Sequence, residues 1–272
     1  MKFVDAHIHL SDPEYNQNIG KIVEDAKRSN VVALVSNSMN LQTSLLSLQL
    51  AEEYPGLVYV ALGVHPWNVK SLSPNETQDV ISQIFQQKEK LVAVGEIGLD
   101  FRYARSGELR DLQLQVFHEM LRTAEKISLP VIIHSRETAP EIMSLLSSYG
   151  LEKVLFHWFS SKFIGLLPQI VDRGYYITEG PPTIYSNGIR EIVRHIPLAN
   201  LLTETDGPVR FGGPFKGEMT KPSFIPLVVK AIAQIKDMKE TEVADQILKN
   251  FANFFGVKSV SDKRHEETTI GV

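Results

Sequence analysis

The chain predicts a (β/α)8 TIM barrel, α/β in class, and three observations carry that prediction. Short apolar, β-branched runs alternate with amphipathic segments along the chain, and eight such runs can be counted. The runs are apolar almost throughout, as are strands of a parallel sheet covered on both faces. The length, 272 residues, suits one barrel of this kind. An open doubly wound sheet competes, but the first strand–helix turn lacks the glycine-rich nucleotide fingerprint.

Residues 3–8 form the first strand, and 19–29 a helix on which Ile22, Val23 and Ala26 share a face before Ser29-Asn30 ends it. A strand at 31–35 leads to a helix at 41–54, with Leu45, Leu48 and Ala51 on one side and Pro55-Gly56 as its stop. The third strand, 57–62, runs into Gly63-Val64-His65-Pro66-Trp67, and a helix follows at 76–87. The fourth, 91–94, runs into Gly95-Glu96-Ile97-Gly98-Leu99-Asp100. A long helix at 109–127 precedes strand 130–133, which ends in His134-Ser135-Arg136. Helix 140–149 and strand 153–156 come next, followed by His157-Trp158-Phe159-Ser160. Helix 163–173, strand 175–178, helix 189–195 and strand 198–203 complete the alternation, the last entering Glu204-Thr205-Asp206-Gly207-Pro208. A Gly/Pro-rich loop at 210–221 and helices at 224–235 and 240–255 close one domain spanning 1–257, with a polar, mobile tail expected at 258–272.

Composition narrows the function. With 43% hydrophobic residues the chain has material for one large core, and a net charge of −4 excludes a broad basic surface for nucleic acid. A polyphosphate must be met locally, through a metal or a few Arg and Lys. There is no cysteine, so any metal is held by nitrogen and oxygen. Neither a signal peptide nor an apolar run near 20 residues is seen, so a cytoplasmic protein is expected.

The chemistry gathers just past the strands. Strand one supplies His7 and His9, whose spacing puts both imidazoles on one face of a strand. Strand three supplies His65, strand four Glu96, strand five His134, strand six His157 and strand eight Asp206. Barrel enzymes work at the carboxyl ends of their strands, so these residues converge on one mouth. So many imidazoles and carboxylates in one pocket need a compensating cation, and their number suits two divalent ions better than one. Glu96 is placed to bridge them.

Five blocks then carry a resemblance: Asp5-Ala6-His7-Ile8-His9, Gly63-Val64-His65-Pro66, Gly95-Glu96-Ile97-Gly98-Leu99-Asp100, residues 129–136 and Glu204-Thr205-Asp206-Gly207-Pro208. In combination they resemble the TatD family of metal-dependent deoxyribonucleases, within the amidohydrolase-like barrels, over nearly the whole chain. The resemblance implies two divalent ions (Zn, Mn or Mg), one held by His7, His9, Glu96 and Asp206 and the other by Glu96, His134 and His157. It implies hydrolysis of phosphodiester bonds, exonucleolytic and on DNA. Asp206 is the candidate base for the attacking water, and His65 the candidate phosphate contact or proton donor. Arg136 is the candidate bidentate phosphate grip. Asp100 and Glu204 are candidates to orient ligands or, equally, to hold a loop by hydrogen bonds. Arg102 and Arg105 are candidates to meet a nucleic-acid backbone, with plain solvation the more usual role, and Trp67, Trp158 and Phe159 to stack on bases, with core or rim packing the default. Nothing is assigned to His118, His195 or His265. Activity should fall as pH drops through about 6 to 6.5, because metal binding needs neutral imidazoles.

The chain departs from the family pattern at Trp158 and Ser161, at Thr178-Glu179-Gly180-Pro181-Pro182, and at Met219-Thr220-Lys221-Pro222. These positions are expected at the pocket rim, where they bear on substrate more than on metal. The alternative activity is hydrolysis of a small cyclic amide, lactone or phosphoester. Many two-metal relatives of that kind bridge their ions with a modified lysine at strand four; here Glu96 holds the place, and Lys90 lies at the opposite end of the strand. A scaffold without catalysis is the third reading, and the full ligand set argues against it.

Overall fold

Eight strands form one all-parallel sheet in the order β1 to β8, and a computed structural model describes them within residues 1–257. They are β1 (Phe3–Ile8), β2 (Val31–Asn37), β3 (Val58–Leu62), β4 (Leu91–Asp100), β5 (Val131–Arg136), β6 (Val154–Phe156), β7 (Tyr176–Glu179) and β8 (Leu201–Thr203). The helices among these residues are α1 (Ile19–Arg28), α2 (Leu41–Glu53), α3 (Glu76–Gln87), α4 (Gly107–Ile127), α5 (Ala139–Leu146), α6 (Leu167–Asp172), α7 (Asn187–His195), α8 (Ile225–Lys236) and α9 (Glu240–Phe255). The expected tail at 258–272 lies outside the described residues.

The seam between β8 and β1 closes through individual bonds. The His9 N–H donates to the Gly207 carbonyl at 2.9 Å, the Asp206 N–H to the His7 carbonyl at 2.9 Å, and the Thr203 hydroxyl to the Val4 carbonyl at 2.7 Å. Buried Asp5 accepts from the Thr205 N–H (3.0 Å), the Thr205 hydroxyl (2.5 Å) and the His7 N–H (3.2 Å). The seam therefore ties the segment His7 to His9 at the end of β1 to Asp206 just past β8.

One end of the barrel is shut. Helix α9 sets Phe251 against Tyr59 of β3 and Phe254 against Tyr176 of β7, ring centroids 6.2 and 5.2 Å apart. The buried Asn250 amide donates to the Leu198 and Leu201 carbonyls at the start of β8. A helix touching the starts of β3, β7 and β8 covers the amino ends of the strands, and the mouth at their carboxyl ends stays open. Burying each such Phe contributes roughly 1.5–3 kcal/mol.

Several elements differ in their bounds from expectation. Among them are the helix expected at 163–173, which is a 3-10 turn to Leu166 and α6 only from Leu167, and strand 130–133, which runs on to Arg136; β4 and β8 differ as follows. β4 was expected to stop at residue 94 but pairs with β5 as far as Asp100 opposite Arg136, with a register irregularity between Val94 and Ile97. That irregularity lies at Glu96 and, as bulges do, re-aims a side chain. Expected strand 198–203 begins as a 3-10 turn, leaving three residues for β8.

Candidate metal centre

The predicted residues meet at the mouth. His7 Nε2 and His9 Nε2 lie 3.3 Å apart, and each faces Glu96 Oε2, at 3.2 and 3.1 Å, and Asp206 Oδ1, at 3.5 Å. On the other side, Glu96 Oε1 faces His134 Nδ1 at 2.8 Å and His157 Nε2 at 2.7 Å, those nitrogens being 3.1 Å apart. His65 Nε2 is 3.2 Å from the same oxygen and 3.3 Å from His134 Nδ1. All seven side chains are buried or nearly so.

These separations fit a divalent ion. Ligand atoms roughly 2.0–2.2 Å from one centre lie about 3.0–3.5 Å from each other. Two further observations agree. Glu96 Oε2 is buried with no hydrogen-bond partner among the described residues. Ring nitrogens of His7 and His9, and of His134 and His157, face one another closely enough that their lone pairs repel unless a cation or proton lies between.

The groups behind the rings decide which nitrogen faces the centre. His9 Nδ1 lies 3.1 Å from the Asn37 carbonyl, so that nitrogen donates and Nε2 is left with a lone pair. His134 Nε2 lies 3.1 Å from Asp100 Oδ2, which leaves Nδ1 free to bind. His157 Nδ1 faces Glu204 Oε2 at 3.6 Å. His65 is the opposite case: the Trp67 backbone N–H donates to its Nδ1 at 3.1 Å, so neutral His65 carries its proton on Nε2. It presents a donor to the centre, where His9 and His134 present lone pairs.

Charge follows the same division. Burial works against protonated His9, but the Asp206 and Glu96 carboxylates outweigh it and raise its pKa to about 10. His157 is raised against burial by Glu96 and Glu204, and His134 by Asp100 and Glu96. At His65 burial wins over the Glu96 charge and the imidazole falls to about 4. Despite burial, the surrounding imidazoles His157, His65 and His7 hold Glu96 well below the usual carboxylate range, and His7 and His9 hold Asp206 down. Asp100 falls to about 2, its burial outweighed by bonds from His134 and Trp67.

A cleft of about 780 Å³ opens above, lined among others by Trp67, Arg136, Trp158, Tyr185 and Arg210. Arg136 is exposed there and its guanidinium makes no hydrogen bond or ion pair among the described residues, whereas Arg210 pairs with Glu14 at 2.6 Å. Arg102 and Arg105 do not line the cleft. Phe159 takes the core packing that was its default reading, fully buried against Phe156, and does not line the cleft. His118 pairs with Tyr149, His195 with Glu191, and His265 lies outside the described residues.

Sequence reasoning passed over Asp5, whose place in the Asp-Ala-His-Ile-His run was the available signal, and Gln113, which gave none; Trp67 it read as a stacking or packing residue, not as a donor to Asp100. It also misplaced Glu179: the residue sits fully buried, both carboxyl oxygens unpartnered, and burial raises its pKa well above the usual range.

The model of the family described as TatD related DNase matches residues 4–256. The chain belongs to that family. It is 34% identical over 262 residues to deoxyribonuclease TATDN3 of Homo sapiens, covering 93% of this chain and 94% of the relative. It is 30% identical over 257 residues to the uncharacterized metal-dependent hydrolase YabD of Bacillus subtilis, covering 93% and 98%. The crystal structure of the TatD homolog YjjV of Escherichia coli superposes with a TM-score of 0.86 at 28% identity, covering 94% of this chain and 98% of that one. As a TatD-type metal-dependent hydrolase, this chain shows its departures in three places, of which Met219-Thr220-Lys221-Pro222 does not line the cleft expected for it, Thr220 being fully buried with its carbonyl accepting from the Tyr15 hydroxyl. Trp158 and Ser161 line the cleft. Thr178 instead lies behind the centre, donating to Glu204 Oε2 at 2.5 Å and accepting from the Trp158 N–H.

Proposed function

We propose that this TatD-family chain hydrolyses phosphodiester bonds in DNA, exonucleolytically, with two divalent ions. His7, His9, Glu96 and Asp206 would hold one, and Glu96, His134 and His157 the other. The observation that carries the reading is the Glu96 carboxylate, one oxygen turned to each histidine group at 3.2 Å or less. An all nitrogen and oxygen donor set suits zinc, manganese or magnesium. Bound there, such ions supply Lewis acidity toward a phosphoryl oxygen and make water acidic enough to attack at neutral pH.

The remaining steps belong to side chains. Asp206 lines the cleft and uses one oxygen on the histidines; it accepts the proton of the attacking water. His65, protonated on Nε2 and facing the His134 side, donates to the leaving oxygen. Arg136, unpaired among the described residues, grips the phosphate through two parallel bonds. Trp158 stands 38% exposed beside the cleft as a surface for a base.

The test is an assay of EDTA-stripped protein reloaded separately with zinc, manganese and magnesium. End-labelled single- and double-stranded DNA is offered beside a panel of lactones, cyclic amides and small phosphoesters. Metal-dependent release of nucleotides from one end supports the reading. Inertness on DNA with every ion, alongside turnover of a lactone or amide, overturns it in favour of a small-molecule hydrolase.

A further inference from the structure

One loop residue reaches two of the three histidines that face Glu96 Oε1, His65 directly and His134 through Asp100. Trp67 is 40% exposed, so its ring is not a core residue, yet its indole N–H donates to Asp100 Oδ2 at 2.6 Å. The same oxygen faces His134 Nε2. The position is built: the fully buried Gln113 of α4 accepts from the Asp100 N–H and donates to the Pro66 carbonyl, both at 3.0 Å. Asp100 is further fixed by the Tyr103 N–H at 2.8 Å. Meanwhile the Trp67 backbone N–H occupies His65 Nδ1.

We infer that Trp67 is a positioning residue that holds two facing imidazoles in opposite tautomers, His134 through its indole and Asp100, and His65 through its own backbone. His134 thereby offers a lone pair at Nδ1 and His65 an N–H at Nε2, although their rings stand only 4.7 Å apart. A mistake in either tautomer would put two donors or two lone pairs together. The indole arm matters most for the second ion, since partners behind a metal-binding imidazole are worth 10- to 100-fold in metal affinity. The inference rests on the two-ion reading.

Trp67→Phe separates the two arms, because it keeps a ring and the backbone N–H but removes the indole donor. Cobalt(II) titration followed by visible absorption should show the first equivalent bound as in the parent and the second 10- to 100-fold more weakly. Asp100→Asn should weaken the same equivalent. A parent protein that takes up only one cobalt ion overturns the two-ion reading and this inference with it. A parent that takes two, beside a Trp67→Phe protein that takes both equally tightly, overturns the inference alone. Should the variants fail to fold, the parent still decides. Its Trp67 indole N–H resonance, assigned with Trp158→Phe, should move when the second zinc equivalent is added, and a resonance that both equivalents leave in place refutes the coupling.

Discussion

His65 separates from the other imidazoles of the centre by one hydrogen bond, and that bond dictates its part. A ring whose Nδ1 receives a backbone N–H cannot, while neutral, lend Nε2 to an ion. His65→Ala should therefore lower kcat by about 10² to 10⁴, the usual worth of a positioned proton donor, while the ion content of the purified protein stays unchanged. Metal analysis beside steady-state kinetics checks this, and a variant that loses an ion would make His65 a ligand. The sequence reading already set His65 apart as a phosphate contact or proton donor, but the reason for it lies in what stands behind the ring and shows only in the fold.

Among the elements, β4 shows why part of the site was hidden. Gly95 and Gly98 look like turn signals in the sequence, and the strand was expected to end before them. In the fold they serve close approach. A Cβ on Gly98, whose φ is +148°, would lie 2.0 Å from the His134 carbonyl oxygen, and one on Gly95 would lie 2.7 Å from Ile132 Cβ. Glycine lets β4 lie against β5 here, carrying the strand on to Asp100 and bringing that carboxylate behind His134. Gly98→Ala should cost about 3 kcal/mol and lower the melting temperature, as a calorimetric scan would show; an unchanged melt would refute the packing argument. The alternation of strands and helices and the six strand-end ligand candidates were legible because periodicity and spacing are local. Asp5 on Thr205 and Gln113 between Asp100 and Pro66 were not, because those pairings exist only once the register is set.

Across the whole molecule, charge sets two expectations. Among the cleft-lining residues the arginines are Arg136 and Arg210, the latter already paired with Glu14, and the chain carries a net −4. DNA affinity should thus depend weakly on salt, with a log–log slope of about −1 to −2, which fluorescence anisotropy at several salt concentrations measures; a slope near −6 would demand an extended basic track. The second expectation concerns pH. His9, His134 and His157 have pKa values raised by carboxylates, that of His9 to about 10, so in EDTA-treated protein they stabilise the fold fully below about 6.5 and lose that contribution as pH rises toward 10. Asp5, raised by burial to about 8 against its three donated bonds, acts in the same direction. Ions compete for the same nitrogens, so metal affinity should climb over that range. Melting curves should accordingly fall with pH for stripped protein and hold for loaded protein. The central claim, that Glu96 joins two ions into one hydrolytic centre, meets its most direct test in the metal content and DNA hydrolysis of the loaded parent and of Glu96→Gln. The account predicts two ions per chain in the parent, one or fewer in the variant, and no turnover by the variant. A variant that keeps both ions and cleaves DNA at the parent's rate would contradict it.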